Sequence, residues 1–264
     1  MEHRKTPIGA LWALLASLIF SVNDMLIKFL SDGYALHQIV FTRSLTGVLL
    51  LMIVIIPFSG GYGALRTQRL GLHLVRALCV VAANLFFYMA LADMPLAIVV
   101  AILGVLIILR PGFREITSGH IAMLGTTLCF GVSYLIAKRL TDLASADMVV
   151  ALLSIGVTIG LIPLTIPVWI TPTSFEVAML FAVAICAVAG HYSMTFAFRS
   201  APLTVTQPVG FLQLIWSVAT GYFLFGEHID ALVILGGTII IGSVLYLTLR
   251  EAQLKRKRER KTPL

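Results

Sequence analysis

GALWALLASLIFSVNDMLIKFLSD, residues 9–32, lies without a gap over GHIAMLGTTLCFGVSYLIAKRLTD, residues 119–142. The two stretches match Gly9 with Gly119, Phe20 with Phe130, Lys28 with Lys138 and Asp32 with Asp142, an offset of 110. Each is an almost unbroken apolar run of the roughly 20 residues that a helix needs to cross about 30 Å of hydrocarbon. A second correspondence pairs YMALADMPLAIV (88–99) with TFAFRSAPLTVT (195–206) at an offset of 107, again without a gap. The chain therefore reads as one membrane plan written twice.

Composition agrees. Hydrophobic residues make up 59% of the 264 positions and charged ones 12%, with a mean hydropathy of +1.00, more apolar surface than a soluble core can hide. The runs are long and continuous rather than short and alternating, which excludes a strand barrel and leaves helices. They fall at 7–30, 36–58, 71–93, 119–140, 146–169, 176–200, 203–226 and 229–249, giving eight full spans. The first is expected to be a retained helix rather than a cleaved signal, because it continues past about 20 residues and no clean small-residue cleavage site follows.

One stretch is too short for its place. In the second half 40 residues separate Pro202 from Gly242, whereas in PLAIVVAILGVLIILRPG (95–112) only 9 separate Pro95 from Gly104. About 31 residues are absent by comparison, as though one helix start had been joined to the end of the next. Residues 95–110 make only about 24 Å of helix, short of a full crossing. If this segment crossed, the basic tail KRKRERK (255–261) would lie on the face opposite Arg4 and Lys5, against the positive-inside rule. If it enters and leaves from one side, with Arg43 and Arg76 counted as intramembrane, 14 basic residues lie inside and three (Lys28, Arg110, Arg114) outside. The second arrangement is the one expected, and it makes 95–110 a short re-entrant or tilted segment.

The stretches NLFFYMALADMPLA (84–97), MTFAFRSAPLTV (194–205), GYFLFGEHID (221–230) and GGTIIIGSVLYL (236–247) carry a resemblance. In this order over almost the whole chain they resemble the EamA-domain family of the drug/metabolite transporter superfamily. The resemblance implies two five-helix repeats of inverted topology, both termini cytoplasmic, and movement of a small organic metabolite by alternating access. The expected fold is thus an all-α integral membrane protein of two inverted repeats, with eight full transmembrane helices plus the short segment. Its divisions are a shortened first repeat at 1–114, lacking residues around 100–104, a second repeat at 115–250 and a basic cytoplasmic tail at 251–264. The expected function is export of an amino acid or similar metabolite, or uptake of a nutrient such as S-adenosylmethionine or riboflavin. The alternative is a non-transporting, internally deleted membrane protein or a partner-dependent subunit.

Polar residues inside a bilayer are costly and mark pathways. Asp24 and Arg43 lie at similar depth in the first two spans and can pair, either as a substrate and proton site or as a structural ion pair; Lys28 shares the face of Asp24. Asn84 and His191 are equivalent at the offset of 107, so both are expected toward the midplane, the imidazole as a proton relay or a packing group. Tyr134, Gln207 and Trp216 complete the substrate or proton pathway candidates and, with Asn23 and Gln213, are the weaker ones, because helical phase alone does not show that they face a cavity. Trp12 and the three cysteines, Cys79, Cys129 and Cys186, read as packing, Pro208 as a helix break, and Glu227 as an interfacial cap.

No phosphate loop, HExxH, GxSxG elbow or paired carboxylates on one helix face are present, so no enzyme is indicated. No catalytic residue, cofactor or metal is expected. The net charge of +7 owes six cations to the tail, which anchors a membrane protein rather than binding nucleic acid. The partners expected are a small-molecule substrate, the lipid bilayer and a second copy in a homodimer. The location expected is a bacterial-type inner membrane.

Overall fold

Every long apolar run that the structure describes becomes a helix, because only intra-segment hydrogen bonds satisfy the backbone in lipid. The computed structural model describes residues 6–59, 61–65, 67, 69–93 and 118–228, with the single positions 234, 235, 237, 238 and 242. The elements are α1 (Thr6–Leu30), α2 (Leu36–Leu50), α3 (Leu70–Asp93), α4 (Ser118–Thr141), α5 (Ala146–Thr165), α6 (Ser174–Ser200), α7 (Leu203–Gly210) and α8 (Gln213–Phe225). Among the described residues there is no strand. Among the described residues six spans are long and apolar enough to cross a membrane: Pro7–Leu30, Leu36–Phe58, Leu70–Phe87, Ile121–Thr141, Ala146–Val168 and Ser174–Ser200.

Local chemistry sets the ends. Ser145 caps α5 by accepting from the Met148 amide, and Thr173 with Glu176 forms a capping box at the start of α6, both satisfying amides that a helix leaves orphaned. α2 widens into a π turn (Leu51–Ile55) before its last α turn (Ile56–Ser59), where Pro57 has no N–H to return to Ile53. The span expected at 203–226 is not one rod but two helices. Pro208 cannot donate to the preceding turn, and after Gly210 the Leu212 amide closes a tight turn on the Val209 carbonyl at 3.1 Å. The expected re-entrant segment 95–110 lies outside the described residues, as does the run 229–249 apart from the single positions named above.

α1 packs along α6, α3 along α4 and α2 along α5, with α7 and α8 laid on α1. Antiparallel pairing follows from the contacts: Gly9 of α1 lies under Ala201 at the end of α6, and Thr165 at the end of α5 donates to His37 at the start of α2. Two faces result. One carries Tyr34, which donates to Glu176 at 2.6 Å, and Gln38, whose side-chain amide bonds both N–H and C=O of Ile170. The opposite face carries Arg199, which donates to the carbonyls of Thr141 and Ala144, and Lys138, which donates to the Phe198 carbonyl. α3 leaves the Arg199 face and α4 returns to it, so the flanks of segment 94–117, Asp93 and Ser118, both lie on the Tyr34 face.

The buried centre joins Ile27, Ile39, Val40, Met123, Leu153, Leu161 and Val183 across five helices. Outward faces are apolar instead of charged: Leu11 is 65% exposed, Ile53 68% and Leu128 71%. An exposed apolar belt of this size suits lipid and not water. Close approach needs glycine at Gly156, where a Cβ would sit 2.4 Å from the Cβ of Ala77 and hold α3 away from α5.

Candidate functional site

A cavity opens between α1, α2, α3, α4, α6 and α8, with about 670 Å³ of atom-free space including its mouth. Its polar lining is Asn23, Asp24, Arg43, Asn84, Thr126, Tyr134, His191 and Gln213. The five candidates Asp24, Arg43, Asn84, Tyr134 and His191 thus come from five different helices to one space. Helix rise orders them by depth. Asp24 and Arg43 lie toward the Tyr34 face, Asn84 in the middle, and Tyr134 and His191 toward the Arg199 face.

Arg43 organises the wall. Its guanidinium donates to Asn23 Oδ1 and to Asn84 Oδ1, each at 3.2 Å. Asn23 in turn donates to the Val183 carbonyl at 2.9 Å, and Asn84 to the Val80 carbonyl at 2.6 Å. One forked cation therefore ties α2 to α1 and α3, and through Asn23 to α6, with every amide satisfied. Asp24 lies within coulombic reach of Arg43 and accepts from Gln213 Nε2 at 2.9 Å. Lys28 turns to Glu227, Nζ to Oε1 at 3.0 Å, with Phe225 beneath it at 5.6 Å. Glu227 is an ion-pair partner and not merely an interfacial cap.

Aromatic rings supply the apolar part. Phe20 meets His191 edge-on at 5.2 Å, Phe130 stacks on Tyr134 at 5.9 Å, and Phe87 completes the lining. The Phe20 ring rests on Gly190, where a Cβ would come within 2.7 Å. Sequence reasoning did not select these phenylalanines, because an aromatic in an apolar helix looks the same whether it faces lipid or a cavity. Trp216 is 37% exposed and does not line the cavity. The Gln207 side chain lies outside the described part of the structure. Trp12 packs on Phe196 at 5.3 Å, and the three cysteines are free and half-buried. Among the described residues no cluster of His, Cys, Asp or Glu could hold a metal.

Buried charges converging on one cavity in a helical membrane bundle suit a carrier, and comparison with known proteins agrees. Residues 117–249 match the EamA-like transporter family. The chain belongs to that family. It is similar to the S-adenosylmethionine uptake transporter of Rickettsia prowazekii, 25% identical over 280 residues, covering 92% of this chain and 93% of that protein. It is also similar to the riboflavin transporter of Vibrio cholerae, 24% identical over 298 residues with 98% and 99% covered. The pseudopaline exporter CntI of Pseudomonas aeruginosa is 25% identical over 275 residues, with 91% and 95% covered. A protein crystal structure shares the fold, with a TM-score of 0.71 at 13% identity, covering 92% of this chain and 98% of the other. Family and relatives alike are named as transporters, and this EamA chain is a multi-pass membrane protein of that kind.

Proposed function

We propose that this EamA chain carries a small organic metabolite across a bacterial inner membrane by alternating access, with the cavity around Arg43 as its binding site. The observation that carries the reading is the convergence of Asp24, Arg43, Asn84, Tyr134 and His191 from five helices on one space. The charged and amide groups orient the ligand's polar groups, and Phe20, Phe87, Phe130 and Tyr134 cover its apolar part. Gln207 and Trp216 remain proposed members of the path. Exported metabolites or imported nutrients such as S-adenosylmethionine or riboflavin fit this description.

The carrier is built from two repeats, 1–114 and 115–250, followed by the tail 251–264. Supporting this, α2 begins at Leu36 and α5 at Ala146, 110 residues apart, and exchanging α1, α2 and α3 with α4, α5 and α6 maps the packing pairs onto themselves. Lining residues pair at the same offsets: Phe20 with Phe130, Asp24 with Tyr134, and Asn84 with His191. Arg69, Lys138, Arg139 and Arg199 favour the Arg199 face, on which α1 starts, as cytoplasmic, in keeping with a carrier whose two termini are both cytoplasmic.

The second reading, an internally shortened chain that needs a partner or does not transport, is favoured by one observation. The alignment with the riboflavin transporter runs over 298 residues, more than the 264 of this chain, so that relative has residues without counterparts here. Counterflow in proteoliposomes with labelled S-adenosylmethionine, riboflavin and an amino-acid mixture tests the two. Saturable exchange of any of them, lost in Arg43→Gln, supports the carrier. No exchange by a folded protein supports the shortened-chain reading.

A further inference from the structure

We infer that Arg76 and His73 form a second station on the transport path, between the cavity and the Arg199 face, that binds an oxyanion of the passing metabolite, a carboxylate or a phosphate. It rests on the carrier reading above. Arg76 lies six residues into α3 from Leu70, about 9 Å from that face, and about 12 Å nearer to it than Asn84 of the cavity. His73, one turn earlier, shares its side of the helix.

Both side chains are buried, Arg76 at 5% and His73 at 3% exposure. Arg76 Nη1 donates to the Val149 carbonyl of α5 at 2.9 Å. Among the described residues its Nε has no hydrogen-bond partner, and neither ring nitrogen of His73 has one. Among the described residues the buried or bonded carboxylates are engaged elsewhere: Asp24 with Gln213, Asp147 with Tyr192, Glu176 with Thr173 and Tyr34, and Glu227 with Lys28. None of them meets Arg76. Arg43 shares its cavity with a carboxylate; among the described residues Arg76 is a buried cation without one.

A guanidinium held in hydrocarbon with no anion is expensive, and residues of this kind inside membranes serve a path. Two unused N–H donors, the Nε of Arg76 and the one N–H of a neutral His73, face an oxyanion beside that charge, and the planar fork of arginine suits carboxylate and phosphate alike. Arg76 also lies within coulombic range of Tyr134 and His191, the two lining residues nearest the Arg199 face. An anionic group released from Arg43 and passing those two rings therefore meets Arg76 next. Once the α3–α5 contact opens, the anion replaces the Val149 carbonyl as partner of the guanidinium.

The test is thermal unfolding of the purified full chain in detergent, with succinate, inorganic phosphate or chloride at equal ionic strength. Succinate or phosphate should raise Tm above chloride, and which of the two acts distinguishes carboxylate from phosphate. Arg76→Gln removes the uncompensated charge while keeping a donor for Val149, so without added anion it should melt higher than the parent and should lose the oxyanion response. Arg76→Lys should retain part of that response, and His73→Gln should weaken the apparent affinity roughly threefold to tenfold. No oxyanion response in the parent, a lower Tm for Arg76→Gln, or a response that survives in Arg76→Gln and disappears in Arg43→Gln would each overturn the second station. Counterflow separates the two readings. A chain that exchanges metabolite without an Arg76-dependent response loses only the station, whereas an Arg76-dependent response in a chain that exchanges nothing keeps the station and defeats the carrier.

Discussion

Lys28 on α1 and Glu227 just beyond α8 form an ion pair of 3.0 Å at the Tyr34 face. The pair is built, not incidental: Gly226 takes a left-handed φ of 63°, turning the chain back so that the Glu227 carboxylate fills the notch left by Gly221, where a Cβ would lie 2.4 Å from Oε2. Together with the Asp24–Gln213 bond it pins α8 to α1 at two depths. Because the pair is only partly buried, Lys28→Gln and Glu227→Gln should each cost about 1 kcal/mol, and the double change less than the sum. A double-mutant cycle by thermal unfolding measures the coupling, and additive losses would show that the two side chains act independently.

Arg43 should tolerate no simple replacement. Lysine offers a point charge that cannot reach both Asn23 and Asn84 as the fork does, so Arg43→Lys should lower substrate exchange at least tenfold while leaving folded yield near that of the parent. Asp24→Asn and Arg43→Gln should each reduce folded yield by leaving one buried charge uncompensated, with the double variant recovering part. Yield by fluorescence size exclusion checks this, and losses that simply add in the double variant would show that the two side chains are not coupled.

At Gly190 the backbone of α6 admits the ring of Phe20, so Gly190→Val should destabilise by about 1–3 kcal/mol through overpacking. Phe20→Ala in the same chain should relieve most of that loss. If the second change adds to the damage, the ring is not what the glycine accommodates.

Tyr34 gives a pH signature outside the spans. Its hydrogen bond to Glu176 holds the phenol above its usual pKa, so the folded state keeps the proton longer than the unfolded chain. The contribution is fully present below the unfolded phenol value of about 10 and is lost as pH rises through the folded one. Melting curves from about pH 8 to about pH 11 should fall more steeply for the parent than for Tyr34→Phe. Parallel curves would show that the bond does not govern alkaline stability.

The loops at Gly33 and Leu143 end helices on opposite faces. A single cysteine at Leu143, in a chain whose native cysteines are replaced, should be labelled only from the cytoplasmic side and one at Gly33 only from the other. Labelling of both from one side would defeat the assignment of faces.

The amino-acid sequence by itself determined that this chain is helical and membrane-embedded, because run length and composition act locally: about 20 apolar residues in lipid have no other way to satisfy their backbone. It also determined the family, since four degenerate stretches in order over most of the chain leave few alternatives. Cost made Asp24, Arg43, Asn84 and His191 visible, because a polar group in hydrocarbon is rare enough to be noticed. Only the tertiary structure decided which partners they take. Lys28 follows Asp24 by one turn, yet it pairs with Glu227, and Asp24 accepts from Gln213 on α8; no local pattern links positions so far apart. Phe20, Phe87 and Phe130 became cavity walls, and Trp216 did not, through helix rotation alone. In a membrane helix that rotation leaves no amphipathic trace, because the lipid-facing and protein-facing sides are equally apolar.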